Sequence, residues 1–151
     1  MYEYKAQVLR IIDGDTLVVN IDLGFDIWVH NEVIRLNGID TPEVRTTDPV
    51  EKFFGTLAKN RIKEYLDNDG TTGAVTLVSK TFKKEKYGRA TADLKVQGQI
   101  RSLCATLVGE GYAVPYHGQS KESIDRDHLA NRERLIFEGK VTKEEIEAVH
   151  N

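Results

Sequence analysis

Hydrophobic residues change their spacing along this chain, and the changes divide it into strands and helices. Apolar, β-branched runs at 6–12 and 17–21 flank Asp13-Gly14. An Asp-Gly pair between two such runs is a strong hairpin signal. A third run of the same character follows over 27–36. The pattern therefore predicts three consecutive strands in an antiparallel meander.

From residue 48 to residue 67 the apolar positions recur at helical spacing. Asp48-Pro49 predicts the start of this helix, because aspartate is a good N-cap and proline is tolerated at the first helical position. The remaining elements are predicted as strands at 74–82 and 89–96, a second helix with an apolar face from Ile100 to Val108, a third helix within 123–138, and a short helix after a capping box at Thr142.

This order predicts an α+β domain: a five-stranded Greek-key β-barrel of the OB type, capped by about three helices, with a short extra C-terminal helix. The 151 residues, 40% of them hydrophobic, suit one domain with its own core. We assign 1–138 to the barrel domain and 139–151 to a helical extension of it. Cys104 lies in an apolar run and is expected to be buried.

Charge and hydropathy limit the partners. The formal net charge of −3 argues against a broad basic surface for nucleic acid. The segment 80–89, however, carries five basic side chains against Glu85 alone, so any such surface is expected to be confined. No stretch approaches the roughly 20 apolar residues of a membrane span, and no secretory pattern opens the chain. We therefore expect a cytoplasmic protein with no membrane partner, and no feature indicates a protein partner.

Three segments carry the chemistry of interest: Asp13-Gly14-Asp15-Thr16, the segment from Arg35 to Glu43, and Lys86-Tyr87-Gly88-Arg89. Each alone is explained as a turn or an exposed loop. Alternation along a strand puts Arg35 and Leu36 on opposite faces, so one of the two must leave the core or find a buried partner.

Taken together, the three segments suit attack on a phosphodiester. Asp15 and Asp40 offer the hard oxygen ligands that Ca²⁺ prefers. Arg35 and Arg89 can each present a planar fork of donors to phosphate oxygens, a geometry that lysine does not match. Glu43 is a candidate to orient or deprotonate a water molecule. Such fixed cations act most strongly on the charge that develops in the transition state.

In content, order and approximate spacing, these segments resemble the signature segments of the staphylococcal nuclease (thermonuclease) family, over residues 5 to about 137. The resemblance implies a five-stranded OB barrel with three helices. It also implies Ca²⁺-dependent hydrolysis of DNA and RNA with little sequence preference, releasing 3′-phosphate ends.

The resemblance further implies a role for individual residues, carried over by position. Calcium would be bound by the carboxylates of Asp15 and Asp40 and by the backbone carbonyl of Thr41, with Asp13 behind these ligands. Phosphate would be held by Arg35 and Arg89, and Glu43 would be the general base or the group that positions water. Lys86 and Tyr87 would contact a terminal phosphate, and Tyr116 would lie against the nucleotide.

The chain also departs from the family pattern. The family usually has two tyrosines close together after the second helix, whereas here Tyr112 and Tyr116 are separated, and Tyr112 equally suits the core. The loop at 46–50 contains no lysine. The histidines at positions 30, 117, 128 and 150 lack metal-ligand spacing, and none is assigned to catalysis.

Two other functions suit the same barrel. One is a module that binds nucleic acid without cutting it, as many OB folds do. The other is an interaction domain whose loop carboxylates bind calcium. The presence of Arg35, Glu43 and Arg89 together favours the nuclease, because neither alternative requires all three.

Overall fold

A computed structural model describes residues 2–66, 75–79, 84 and 87–150. Within these ranges the chain forms an α+β domain, as predicted. Its strands are β1 (Tyr2–Asp13), β2 (Thr16–Gly24), β3 (Ile27–Leu36), β4 (Ile39–Asp40), β5 (Val75–Ser79), β6 (Ala90–Lys95) and β7 (Val114–Pro115). Its helices are α1 (Pro49–Leu66), α2 (Leu103–Glu110), α3 (Lys121–Phe137) and α4 (Lys143–His150).

Five strands close into a barrel in the order β1-β2-β3-β6-β5, with β5 paired back onto β1. The first three strands form the predicted antiparallel meander, and β6 joins β3 in parallel. Within the described residues, each of these five strands is thus paired with a strand on both sides. The OB-type barrel is thus confirmed, with three helices around it and α4 as the short extra helix.

The strand register brings the first two chemical segments together. Thr16 at the start of β2 pairs with Arg35 near the end of β3. The amide of Leu36 donates to the carbonyl oxygen of Asp15 at 2.7 Å. Leu36 is buried in the barrel, and Arg35 therefore points away from it, as alternation requires. The turn that carries Asp15 is held beside Arg35 by backbone pairing.

A second, two-stranded sheet was not predicted from the sequence. β4 and β7 pair antiparallel, with Asp40 opposite Val114. The amide of Tyr116 adds a hydrogen bond to the carbonyl oxygen of Gly38 at 2.8 Å. Each strand has only two residues, too few for an alternation pattern to reveal. This small sheet fixes the backbone of Asp40 against the segment that follows α2.

Helix α1 begins as the sequence predicts. The Asp48 carboxylate accepts hydrogen bonds from the amides of Val50 and Glu51, at 3.0 and 3.2 Å, and Pro49 is the first helical residue. These bonds satisfy amide groups that have no partner inside the helix. One face of α1, which includes Ile62 and Tyr65, is buried in the barrel core.

A smaller hydrophobic cluster lies outside the barrel. Phe54 of α1, Leu135 of α3 and Val141 form its buried centre, and Ile146 of α4 packs against them. The predicted capping box is present: the Glu145 carboxylate accepts from the amide and hydroxyl of Thr142, whose hydroxyl accepts from the Glu145 amide. Burying each large apolar side chain contributes about 1.5–3 kcal/mol. Helix α4 therefore joins α1 to α3 instead of extending free into solvent.

Some local predictions were wrong or fall outside the described residues. Helix α2 begins at Leu103, after Ser102 as N-cap, and Ile100 is fully exposed ahead of it instead of lying on its apolar face. Of the strand predicted at 74–82, only 75–79 lie within the described residues. Cys104 is buried as predicted, and burial raises the pKa of its thiol. No helix in the described part of the chain is long and apolar enough to cross a bilayer.

Candidate active site

A cavity of about 360 Å³ opens where the β1–β2 turn, the end of β3, β4 and the segment before α1 meet. Most of its lining is charged. The lining residues are Asp13, Asp15, Thr16, Arg35, Asp40, Thr41, Pro42, Glu43, Arg45 and Arg89. The structure therefore gathers into one cavity all the residues that the sequence analysis proposed for metal binding and catalysis. Their roles remain predictions.

Arg35 is held in place by backbone groups. Its Nη1 donates to the carbonyl oxygen of Leu36 and its Nη2 to that of Ile39, both at 2.8 Å. A guanidinium has five N–H donors, so these two bonds leave donors for a ligand. The side chain is 18% exposed. Arg35 is thus oriented by the protein before any ligand binds.

Two carboxylates flank the Arg35 guanidinium. Nη2 lies 3.5 Å from Oδ2 of Asp15 and 3.9 Å from Oδ1 of Asp40. The other oxygen of each carboxylate has its own partner. Oδ1 of Asp15 accepts from the hydroxyl of Thr16 at 2.9 Å, and Oδ2 of Asp40 lies 2.7 Å from Nε2 of His128. Each carboxylate therefore has one hydrogen-bonded oxygen and one oxygen that faces Arg35.

Polar atoms at the back of the cavity are suited to a ligand. Oδ1 of Asp13 and the hydroxyl of Thr41 are buried and have no hydrogen-bond partner among the described residues. Unsatisfied buried oxygen atoms are costly, and at functional sites such atoms often bind a water molecule or an ion. In the described part of the chain, no group of three or more His, Cys, Asp or Glu side chains is arranged to hold a metal.

The donor chemistry nevertheless suits calcium. Asp15 and Asp40 offer carboxylate oxygens, and Ca²⁺ commonly completes its shell with backbone carbonyls and water. The lining contains four carboxylates against three guanidinium groups, a formal excess of one negative charge. A bound divalent cation would reverse that sign and favour a phosphate anion. The residues present therefore fit a weakly held calcium ion.

Glu43 and two arginines lie at the rim of this cavity. Glu43 and Arg45 are exposed, and Arg89 is partly buried just before β6. The Arg89 guanidinium carbon lies 5.7 Å from the centre of the Tyr87 ring, a distance at which a cation attracts an aromatic face. Tyr87 itself is 71% exposed and does not line the cavity.

Of the residues predicted to contact the nucleotide, Tyr87 and Tyr116 lie outside the lining of the first cavity. Tyr116 lines a second cavity of about 360 Å³, which shares Asp40, Thr41 and Glu43 with the first. Tyr112 packs against both hydrophobic clusters, which agrees with its interpretation as a core residue. Lys86 lies outside the described residues.

The basic segment at 80–89 is only partly described. Lys84 forms an ion pair with Glu32, with Nζ at 2.8 Å from Oε1. Lys80, Lys83 and Glu85 lie outside the described residues. Because Lys84 is paired with a carboxylate, its charge is partly compensated, and it contributes less to a basic surface than the sequence alone suggests.

Sequence reasoning missed three residues at the site. Arg45 follows Glu43 by two positions, and this nearby positive charge was a signal that could have been used. Thr16, next to Asp15, was quoted as part of a motif but given no role. His128 lies 88 residues from Asp40 in the chain, and no local pattern relates the two.

Comparisons with known proteins agree with this geometry. A family model described as "Staphylococcal nuclease homologue" matches residues 33–140. The chain is 41% identical over 86 residues to the thermonuclease of Staphylococcus intermedius, covering 56% of this chain and 45% of that protein. It is 34% identical over 91 residues to the thermonuclease of Staphylococcus hyicus, covering 60% and 47% respectively. The chain thus spans a little under half the length of these relatives. With the family model matched over most of the chain, this protein belongs to the staphylococcal nuclease family.

Proposed function

We propose that the protein is a Ca²⁺-dependent nuclease that hydrolyses phosphodiester bonds of DNA, RNA or both, with little sequence specificity, giving 3′-phosphate ends. One observation carries the proposal: Arg35, Glu43 and Arg89 line the same cavity as Asp15 and Asp40. Phosphate-binding cations, a possible base and oxygen ligands are then within reach of one phosphodiester. The thermonuclease relatives support the nuclease part of this proposal.

The phosphate is bound by the two arginines. Arg35, fixed by the carbonyl oxygens of Leu36 and Ile39, directs its remaining donors towards the cavity lined by Asp15 and Asp40. Arg89 supplies a second guanidinium from the segment before β6. Because Arg35 is oriented before the substrate arrives, little reorganisation of its guanidinium is needed as negative charge builds on the phosphate oxygens.

Calcium would be held by the carboxylates of Asp15 and Asp40 and the backbone carbonyl of Thr41. When bound, it supplies positive charge that offsets the carboxylates and polarises the phosphate. Asp13 lies behind these groups with one buried carboxylate oxygen. Thr16 and His128 hold the outer oxygens of the two ligand carboxylates.

Glu43 activates the water. It accepts a proton from a water molecule whose oxygen bonds to phosphorus, and the bond between phosphorus and O5′ breaks. O5′ takes up a proton from solvent water and leaves as a hydroxyl, so that the phosphate stays on the 3′ side, and Glu43 returns its proton to solvent. General-base catalysis of this kind contributes about 10²- to 10⁴-fold to the rate. Glu43 is exposed at the rim of the cavity, where water reaches it freely.

The test is digestion of end-labelled single-stranded DNA, duplex DNA and RNA with Ca²⁺, with Mg²⁺ or with a chelator, followed by end-group analysis. We expect cleavage with Ca²⁺, loss of cleavage on chelation with the fold retained, and 3′-phosphate products. A Glu43→Gln protein purified in parallel controls for contaminating nucleases. Nucleic-acid binding with no cleavage under any condition would favour the non-catalytic binding module instead.

A further inference from the structure

His128 makes a direct contact with a predicted metal ligand. Its Nε2 lies 2.7 Å from Oδ2 of Asp40, and the side chains of His128 and Asp40 are only 12% and 31% exposed. An ionised carboxylate can only accept a hydrogen bond, so Nε2–H is the donor. Hydrogen bonds to a charged acceptor are the stronger kind.

The contact controls the orientation of the Asp40 carboxylate. The last torsion of an aspartate side chain is broad and roughly two-fold, so the backbone alone does not orient its oxygens. His128 engages Oδ2, while Oδ1 lies 3.9 Å from Arg35 Nη2, beside the cavity. Oδ2 is therefore hydrogen-bonded to α3, and Oδ1 faces Arg35 and the cavity.

Helix α3 is itself attached to the strand that holds Asp40. Asn131, one turn after His128 on the same face of α3, donates from Nδ2 to the carbonyl oxygen of Ala113 at 3.1 Å. The next residue, Val114, pairs with Asp40 in the small sheet. Leu135, a further turn along, is buried. His128 therefore lies on a helix whose contacts fix it relative to the Asp40 backbone.

We infer that His128 is a positioning residue for Asp40: through its Nε2–H it holds the carboxylate in the orientation that binds calcium. The inference rests on the proposed function only in taking Asp40 as a calcium ligand. Groups that hydrogen-bond a metal ligand from behind typically affect metal affinity about 10- to 100-fold when they are removed. Removing the donor at position 128 should weaken calcium binding by that factor.

The test compares His128→Gln, His128→Asn and His128→Leu. The glutamine amide nitrogen reaches about as far as Nε2 of histidine, the asparagine amide is shorter, and leucine has no donor. Ca²⁺ alone is titrated into each protein, and binding is followed through the backbone amide NMR signals of Asp15, Asp40 and Thr41. His150→Leu, at an exposed position in α4, is the matched control, and thermal unfolding is recorded for every variant.

We expect the asparagine and leucine variants to bind Ca²⁺ about 10- to 100-fold more weakly than the wild type, and the glutamine variant and the His150 control to retain wild-type affinity. Activity of the weakened variants should recover as the Ca²⁺ concentration is raised. Wild-type affinity in His128→Asn or His128→Leu, or a glutamine variant as impaired as leucine, would overturn the inference. The titration requires no cleavage, so a wild type that binds calcium without cutting nucleic acid would refute the proposed function alone.

Discussion

Gly55 in α1 lies directly against the backbone of Glu43. A methyl group at position 55 would stand 2.7 Å from the carbonyl oxygens of both Glu43 and Pro42. Real side chains do not tolerate such a distance, so the helix approaches the segment that carries Glu43 only because residue 55 has no side chain. The backbone of Glu43 is therefore in direct contact with α1, and a shift of the helix at this point would move it.

We predict that Gly55→Ala destabilises the protein, although the same change in an unconstrained helix stabilises it by about 1 kcal/mol. Here the added methyl forces the helix or the Glu43 segment to shift, which should cost about 1–3 kcal/mol and lower turnover. Urea unfolding and steady-state kinetics measure the two effects. Asn60→Ala, at an exposed position of α1, is the control and should be neutral or slightly stabilising. A Gly55→Ala protein as stable and active as the wild type would contradict the prediction.

Arg35→Lys and Arg89→Lys should both lose turnover, although each keeps its positive charge. Lysine lacks the planar fork of donors, and at position 35 it cannot make the two carbonyl hydrogen bonds in the same geometry. Loss of one preorganised donor to a transition state typically lowers turnover by about 10²- to 10³-fold. Saturating kinetics on a short oligonucleotide measure the effect, with Arg126→Lys on the exposed face of α3 as control. Near-normal turnover in Arg89→Lys would show that Arg89 is not the catalytic cation.

Glu43→Gln should reduce turnover by about 10²- to 10⁴-fold with little change in the Michaelis constant. Glutamine has nearly the same shape but cannot accept the proton from water. Glu51→Gln is a suitable control, because Glu51 lines the neighbouring cavity but not the one that contains the arginines. The initial rates over a range of substrate concentrations separate the two parameters. If turnover is unchanged in a folded Glu43→Gln protein, Glu43 is not the base.

A pH dependence of stability should arise from the ion pair between α1 and α2. Arg61 donates from Nε and Nη2 to the two carboxylate oxygens of Glu110, at 2.7 and 3.0 Å, and this hydrogen bonding lowers the pKa of Glu110 below its ordinary value of 4.5. The folded state thus binds this proton less readily than the unfolded state does. The stabilisation is therefore present above about pH 4.5 and is lost as the pH falls through the lowered pKa.

Glu110→Gln should accordingly lower the free energy of unfolding by about 1 kcal/mol near pH 7, a modest value because the pair is partly exposed. The difference between variant and wild type should shrink as the pH is lowered below 4.5, the ordinary pKa of Glu110. Urea unfolding across this range measures it. Glu64→Gln is the control, because Glu64 is largely exposed and lies 4.0 Å from Arg61. A difference between Glu110→Gln and wild type that is constant with pH would refute the assignment.

The amino-acid sequence by itself determined those features that depend on neighbouring residues. The hairpin at Asp13-Gly14, the N-cap at Asp48 and the capping box at Thr142 are each encoded within a few positions, and the structure contains all three. Alternation along β3 was enough to separate Arg35 from Leu36. The three chemical segments were recognisable because each is contiguous in the chain.

The tertiary structure alone decided what surrounds those segments. The small sheet that holds Asp40 has two-residue strands, and the partner of its carboxylate, His128, lies 88 residues further along the chain. Neither leaves a periodic signal, because both depend on how α3 and the segment after α2 pack beside the barrel. The contact of Gly55 with the Glu43 backbone also depends on packing, in this case of α1 against the segment that precedes it. A sequence pattern shows which side chains are available, but packing between distant segments sets their distances and orientations.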